Sequence, residues 1–183
     1  MKNSKHEIPV LSDTNTLRER ARQHIEEGAV TQGYSANRKE VLRMLNDALA
    51  TELICVLRYK RHFFMAKGIH SDAVRTEFMT HANEEMLHAD RLAKRIVELG
   101  GAPDFSPDNL SKRSHAEYIE GNTLHDMIKE NLIAERIAIE SYREMILFLA
   151  SHDPSTQVML KEILASEEEH ADDMASLLEQ VKH

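Results

Sequence analysis

Two copies of a Glu-x-x-His pattern are the residues of this sequence best suited to chemistry. Glu85 precedes His88 and Glu167 precedes His170, each by three positions. On a helix, residues three apart lie on one face. Carboxylates and imidazoles are common ligands of iron, manganese and zinc. One such pair alone is weak evidence, because Glu and His at this spacing are also common on solvated helix faces.

Two further glutamates extend the pattern to four helices. Each long predicted helix has apolar residues at alternating spacings of three and four, which is the pattern of helices packed side by side. One Glu interrupts each apolar stripe near the middle of its helix, so the four carboxylates are expected at one height in a bundle. The six predicted ligands are Glu52, Glu85, His88, Glu135, Glu167 and His170.

Charge balance indicates two metal ions. Burying a carboxylate without a partner is costly, so four buried carboxylates need positive charge, and two divalent cations supply it. Oxygen-rich ligation with one imidazole per ion suits iron or manganese better than structural zinc. The alternative is a metal-free bundle with protonated carboxylates. The neighbouring Glu84, Glu168 and Glu169 are predicted to be solvated.

The elements that must position these residues are four long helices, and the fold class is all-α. Capping residues and breakers divide the chain into segments of similar length. Thr123 and Asp126 form a pair typical of a capping box, and Pro154 follows Asp153 at a helix start. The predicted helices are 38–67, 72–100, 123–150 and 154–181, with Ser71, Thr123 and Asp153 as N-caps, and a shorter amphipathic helix at 17–27.

Loop lengths predict the topology. The short loops 68–70 and 151–153 predict two antiparallel hairpins, and the segment 100–122 is long enough to cross the whole bundle. Within it, 113–118 is predicted to form a short packed helix. We therefore predict an N-terminal extension at 1–36 and a four-helix bundle domain at 37–183.

Composition excludes several classes of protein. The chain has 183 residues and a formal net charge of −8, and no basic stretch typical of nucleic-acid binding. Lys2 and Lys5 are too few to hold DNA. The apolar runs are too short to span a membrane, no secretory signal is evident, and Cys55 is the single cysteine. A cytoplasmic protein without membrane or DNA partners is expected.

The chain resembles the ferritin-like superfamily, specifically its bacterioferritin and Dps-like di-iron branches. The resemblance covers about 41–178 and is strongest in the segments 45–52, 85–90 and 162–170. It implies that Glu52 and Glu135 are terminal ligands of two irons, that Glu85 and Glu167 bridge them, and that His88 and His170 each bind one.

Two further residues match family positions. Tyr59 corresponds to a tyrosine near the family's metal centre, and we interpret it first as core packing. Met86 occupies the position of the axial methionine in haem-binding bacterioferritins. In a sequence with nine methionines, gap filling or a surface position is favoured over haem binding.

The resemblance implies a ferroxidase for iron storage or detoxification. Two Fe²⁺ ions per subunit would be oxidised by O₂ or H₂O₂ inside a homo-oligomeric shell. Twelve subunits are favoured over twenty-four, because few residues follow His170 and leave no room for a fifth helix. The alternatives are a Dps-type shell that protects DNA by scavenging oxidants, and a di-metal catalase or oxygenase.

Overall fold

The computed structural model describes residues 11–68 and 71–181, and within these ranges all regular structure is helical. Four long α-helices carry the fold, and two shorter ones and two 3₁₀ turns accompany them. The α-helices are α1 (Thr14–Ala21), α2 (Arg38–Met65), α3 (Ser71–Glu98), α4 (Leu110–Arg113), α5 (Leu124–Leu149) and α6 (Pro154–Gln180).

Side-chain caps define where α5 and α6 begin. Thr123 accepts a hydrogen bond from the Asp126 backbone N–H, and the Asp126 carboxylate accepts one from the Thr123 backbone N–H. This is the predicted capping box. Asp153 caps α6 by accepting from the Thr156 N–H, and Pro154 occupies the first turn, where its missing N–H costs nothing.

The long helices pair as the loops predict. Helix α2 packs along α3 and α5 packs along α6, and α2–α5 and α3–α6 contacts join the two pairs. The connection from α3 to α5 contains a 3₁₀ turn at Pro107–Asn109 and helix α4, which packs on α2. The predicted bundle of two hairpins joined by a crossover is confirmed.

Two apolar clusters fill the bundle, one toward each end. The larger contains Leu45, Leu92, Leu149 and Leu160. The other contains Phe78, Ile128 and Met174. Along every long helix the two clusters are separated by a stretch that contains the predicted glutamate. The polar side chains therefore form a layer across the middle of the bundle, as their spacing predicted.

Three local predictions are corrected. The N-terminal helix covers Thr14–Ala21 rather than 17–27, because Asp13 caps it and His24 adopts a left-handed conformation with φ 51° before a 3₁₀ turn at Ile25–Glu27. Ser71 is the first residue of α3 rather than its N-cap, and its hydroxyl donates to the Gly68 carbonyl at 2.7 Å.

The predicted crossover helix at 113–118 is the third correction. The helix ends at Arg113, and Ser114 is extended. The next residues are held by tertiary hydrogen bonds instead, because the His115 N–H donates to the Thr51 hydroxyl at 2.9 Å. Residues 69 and 70 of the predicted first loop, and Lys2 and Lys5 of the predicted tail, lie outside the described residues.

The N-terminal extension contacts the start of α6, where the Tyr34 hydroxyl donates to Asp153 at 3.0 Å. Among the described residues, no helix combines the length and apolar character needed to cross a membrane.

Candidate metal centre

The structure brings all six predicted ligands together in the middle of the bundle. Helices α2 and α5 contribute one glutamate each, and α3 and α6 each contribute a glutamate and the histidine one turn later. None of the six is more than 5% exposed. The residues are Glu52, Glu85, His88, Glu135, Glu167 and His170.

The six residues form two overlapping groups of four. In each group, one ligand atom per residue lies within 4.8 Å of the others, a spacing that can surround a metal ion. Glu85 and Glu167 belong to both groups. These are the residues to which the resemblance gives the bridging role. The first group is Glu52, Glu85, His88 and Glu167, and the second is Glu85, Glu135, Glu167 and His170.

The histidines point their Nδ1 atoms at the carboxylates. His88 Nδ1 lies 2.8 Å from Glu167 Oε1 and 3.5 Å from the nearest oxygens of Glu52 and Glu85. His170 Nδ1 lies 3.4 Å from Glu85 Oε1 and 3.9 Å from oxygens of the other two carboxylates of its group. Each imidazole therefore serves a different group of four.

The atoms that face the centre lack hydrogen-bond partners within the described part of the chain. They include both oxygens of Glu85 and Glu167, one oxygen each of Glu52 and Glu135, and Nδ1 of both histidines. The short His88–Glu167 contact lacks hydrogen-bond geometry. Buried polar atoms are nearly always satisfied in proteins. Eight unpartnered ligand atoms around one point fit the binding of two metal ions.

Burial and mutual repulsion shift the pKa values of the carboxylates. Burial first, and then the charge of Glu85, raise the pKa values of Glu52 and Glu135, and the same two causes raise that of Glu167. Burial opposes ionisation of Glu85 as well, but interaction with the neighbouring Glu52 carboxyl group and the His170 imidazole lowers its pKa. Glu85 is thus the carboxyl group of the four that ionises most readily.

The imidazoles shift in the direction of protonation. Burial opposes this shift, but interaction with Glu52 and Glu85 raises the pKa of His88 to about 10. Interaction with Glu85 likewise raises the pKa of His170 to about 9 against the effect of burial. Without metal, protons supply the positive charge at this centre, and metal ions would displace them.

Comparison with known proteins decides the family. The family model described as a ferritin-like domain matches residues 42–183. The chain belongs to the ferritin-like family. The bacterioferritin of Mycobacterium tuberculosis is 28% identical over 141 residues, which is 76% of this chain and 84% of the relative.

Solved structures agree with this ferritin-like assignment. The bacterioferritin-related protein of Bacteroides fragilis, described as a dodecameric thioferritin, matches with a TM-score of 0.78 and 31% identity over 81% of this chain and 89% of the other. Dps from Thermosynechococcus elongatus matches with a TM-score of 0.74 and 20% identity over 76% and 90% of the two chains, and shares the fold.

Two tyrosines donate hydrogen bonds to Glu52 and Glu135 in a crossed arrangement, each from the other glutamate's helix. Tyr59 follows Glu52 by two helical turns and donates to Glu135 on α5. Tyr142 follows Glu135 by the same spacing and donates to Glu52 on α2. Sequence analysis favoured packing for Tyr59 and gave Tyr142 no role at the site. The sequence signal that could have identified both tyrosines is their spacing: in α2 and in α5, a tyrosine follows the ligand glutamate by two turns on the same apolar stripe.

Two residues around His170 were also missed. Glu84 was predicted to be solvated, but its Oε2 lies 2.8 Å from His170 Nε2 and accepts the proton of that nitrogen. This contact leaves Nδ1 of His170 free to bind metal. His81 stacks on the His170 ring with centroids 4.1 Å apart, and burial and His170 lower its pKa. The position of His81 on the α3 stripe, one turn before Glu85, was the available signal.

Met86 lies apart from the buried cluster, on the outer side of α3, where it is 37% exposed. The exposed position is compatible with both the surface interpretation and a haem ligand, so the preference for a surface role over haem binding stays a prediction. Glu168 is exposed as predicted and pairs with Arg143 at 2.7 Å.

Proposed function

We propose that this protein is a ferroxidase that oxidises Fe²⁺ to Fe³⁺ at a di-iron site within each subunit, using O₂ or H₂O₂, for iron storage or detoxification. One observation carries the proposal: the two overlapping groups of four ligands that share Glu85 and Glu167. Membership of the ferritin-like family and the similarity to bacterioferritins support it.

The ligand set suits the oxidation of iron. Two bound Fe²⁺ ions supply one electron each to the oxidant. Carboxylate oxygens are hard donors, so they stabilise Fe³⁺ more than Fe²⁺ and favour the loss of an electron. Two shared carboxylates hold the two sites close together. His88 and His170 complete one group each and give up their protons when metal binds.

The tyrosines and Glu84 fix the ligands in place. Tyr59 and Tyr142 each hold one oxygen of a terminal glutamate, which leaves its other oxygen for metal. Glu84 fixes the tautomer and the ring orientation of His170. Partners of this kind raise metal affinity because they orient the ligand before it binds.

We also propose a closed homo-oligomeric shell of twelve subunits, in which oxidised iron is stored. The support is the dodecameric assembly described for the Bacteroides fragilis relative, which is 31% identical and matches most of this chain. A shell encloses the product, whereas an isolated bundle would release Fe³⁺ into solution.

Anaerobic titration of the metal-free protein with Fe²⁺, followed by exposure to oxidant, tests the function. Rapid oxidation should saturate at two Fe²⁺ per chain. Glu52→Ala and His88→Ala should abolish this fast phase while the helical circular dichroism signal is retained. Glu168→Ala is the matched control, because it removes an exposed carboxylate next to Glu167, and it should oxidise iron as the wild type does.

Saturation at one Fe²⁺ or none, or full-speed oxidation in either site variant, would contradict the di-iron site. Light scattering on the same preparations should give a mass of twelve chains. A monomer or dimer would contradict the shell, and twenty-four chains would contradict the preference for twelve.

A further inference from the structure

A second cluster of metal-ligand residues lies beside the proposed di-iron centre. Glu77 and His81 are one turn apart on α3, and Asp173 faces them from α6. One ligand atom from each of the three lies within 4.8 Å of the others. None of the three belongs to the six ligands of the di-iron centre, and no step of the proposed function uses them.

Hydrogen bonding fixes the protonation of His81. Its Nδ1 lies 3.2 Å from the hydroxyl oxygen of Tyr59. That hydroxyl donates its one proton to Glu135, so the oxygen can only accept from His81. The proton of a neutral His81 imidazole is therefore on Nδ1, and Nε2 carries a lone pair.

The lone pair of His81 is directed at a carboxylate. Nε2 lies 3.4 Å from Asp173 Oδ2, although His81 itself is 1% exposed. Two acceptors at this distance repel each other unless a cation or a proton joins them. A divalent cation between Nε2 and the two carboxylates would satisfy the nitrogen and balance the charge of Glu77 and Asp173 at once.

We propose that Glu77, His81 and Asp173 form a third divalent-cation site, separate from the di-iron centre. One imidazole nitrogen and two carboxylates suit Fe²⁺, Mn²⁺, Co²⁺ and Zn²⁺. The Asp173 side chain is 50% exposed, so an ion reaches the site from solvent and keeps water on its remaining coordination positions.

The site is placed to supply the di-iron centre. The ring of His81 contacts the ring of His170, so an ion bound by His81 Nε2 is separated from that centre by the two stacked imidazoles. Fe²⁺ held here would be collected from dilute solution before it enters the buried site. This delivery role rests on the proposed function, whereas binding at the third site does not.

Titration of the metal-free, full-length protein with Co²⁺ tests the site. Bound metal is counted by equilibrium dialysis at micromolar free Co²⁺, and the visible absorption of Co²⁺ reports its ligands. The wild type should bind three Co²⁺ per chain. Glu77→Gln and Asp173→Asn should each bind two, with the assembly mass and the helical signal unchanged. Asp172→Asn, which removes a neighbouring exposed carboxylate, should still bind three.

Two results would overturn the third site. One is a wild type that binds the same number of Co²⁺ ions as Asp173→Asn. The other is loss of an ion in Asp172→Asn equal to the loss in Asp173→Asn, which would indicate unspecific binding to surface carboxylates. Glu52→Ala separates the two centres. If it loses the central ions and keeps the ion that depends on Asp173, the third site stands whether or not the central ions oxidise iron.

The delivery role has its own kinetic test. Asp173→Asn should raise the Fe²⁺ concentration that gives half the maximal initial oxidation rate, because iron is collected less efficiently, and it should leave the stoichiometry of two Fe²⁺ per chain unchanged. An unchanged concentration dependence would overturn delivery and leave the site as a binding site only.

Discussion

The four glutamates of the centre differ in what surrounds each oxygen. Glu52 and Glu135 each have one oxygen occupied by a tyrosine hydroxyl. Both oxygens of Glu85 and of Glu167 lack a hydrogen-bond partner in the described structure. A glutamate with one free oxygen can serve one ion, whereas one with two free oxygens can serve two. This difference supports the terminal roles proposed for Glu52 and Glu135 and the bridging roles proposed for Glu85 and Glu167.

Removing the Tyr142 hydroxyl should destabilise the metal-free protein. In Tyr142→Phe, Glu52 loses its donor while the carboxyl group stays buried. An unsatisfied buried acceptor costs about 1–3 kcal/mol, and the melting temperature of the metal-free protein should fall accordingly. Differential scanning calorimetry measures the change.

Tyr118→Phe is the control for this substitution. It also removes a tyrosine hydroxyl, but Tyr118 is exposed, so water solvates the groups around it. If Tyr142→Phe has the same melting temperature as Tyr118→Phe and the wild type, the Tyr142 hydroxyl does not stabilise Glu52. Bound Zn²⁺ should reduce the effect of Tyr142→Phe, since the metal then satisfies the carboxylate.

At the scale of the elements, α2 anchors the crossover as well as the metal centre. Arg58 is buried, donates from Nε to Asn131 Oδ1 at 2.9 Å, and donates from Nη1 to the Glu117 carbonyl at 3.0 Å. Nε2 of His62, one turn later, lies 3.0 Å from the Glu120 carbonyl. These contacts tie the end of the crossover to α2 and α5.

Asn131→Leu should loosen this connection. The leucine has the same branched arrangement of side-chain heavy atoms but accepts no hydrogen bond, so the Arg58 Nε–H is left buried without a partner. Loss of a hydrogen bond to a charged group costs about 1.5–3 kcal/mol. The melting temperature should fall, and amide hydrogen exchange should accelerate in residues 114–122. Asn122→Leu, at an exposed position, should leave both unchanged. Unchanged exchange in Asn131→Leu would show that the crossover is held by other contacts.

The long helices and their pairing were predictable because their signals are local. The Thr123–Asp126 capping box and the Asp153–Pro154 start need only neighbouring residues, and the apolar stripes need only helical periodicity. The conformation within the crossover was not predictable, because tertiary partners fix it. The His115 N–H donates to the Thr51 hydroxyl on α2, and the spacing of residues in the sequence does not indicate that contact.

The candidate ligands followed from one rule, that a charged residue on an apolar stripe needs a partner. The same rule did not identify Glu84, which lies beside the stripe and becomes part of the centre only through the orientation of His170. His81 lies among the buried residues of α3, but its role depends on the Tyr59 hydroxyl and on Asp173 from another helix. Such cooperation between helices appears only in three dimensions.

For the molecule as a whole, the candidate metal centre interrupts the core. Two apolar clusters stabilise the ends of the bundle, and the layer between them holds four carboxylates and two imidazoles. Without metal, this layer stays neutral only by binding protons. Its contribution to stability therefore depends on pH, and bound metal ions would replace protons as the source of positive charge.

The metal-free protein should lose stability as the pH rises above neutrality. His88 and His170 have folded pKa values of about 10 and about 9, above the value of about 6.5 in an unfolded chain. Their contribution is complete below pH 6.5 and is lost as the pH rises through the folded values. The raised pKa values of Glu52 and Glu167 act with the same sign. The melting temperature of the chelator-treated protein should fall from pH 6.5 to pH 9.

Bound Zn²⁺ should reverse this trend, because metal requires the deprotonated ligands and competes with protons less at high pH. The difference in melting temperature between Zn²⁺-loaded and metal-free protein should therefore widen from pH 6.5 to pH 9. His170→Gln removes one of the two imidazole protons, so its metal-free form should show a shallower decline than the wild type. A difference that narrows with pH, or an equal decline in His170→Gln, would mean that protons do not balance the charge of this centre.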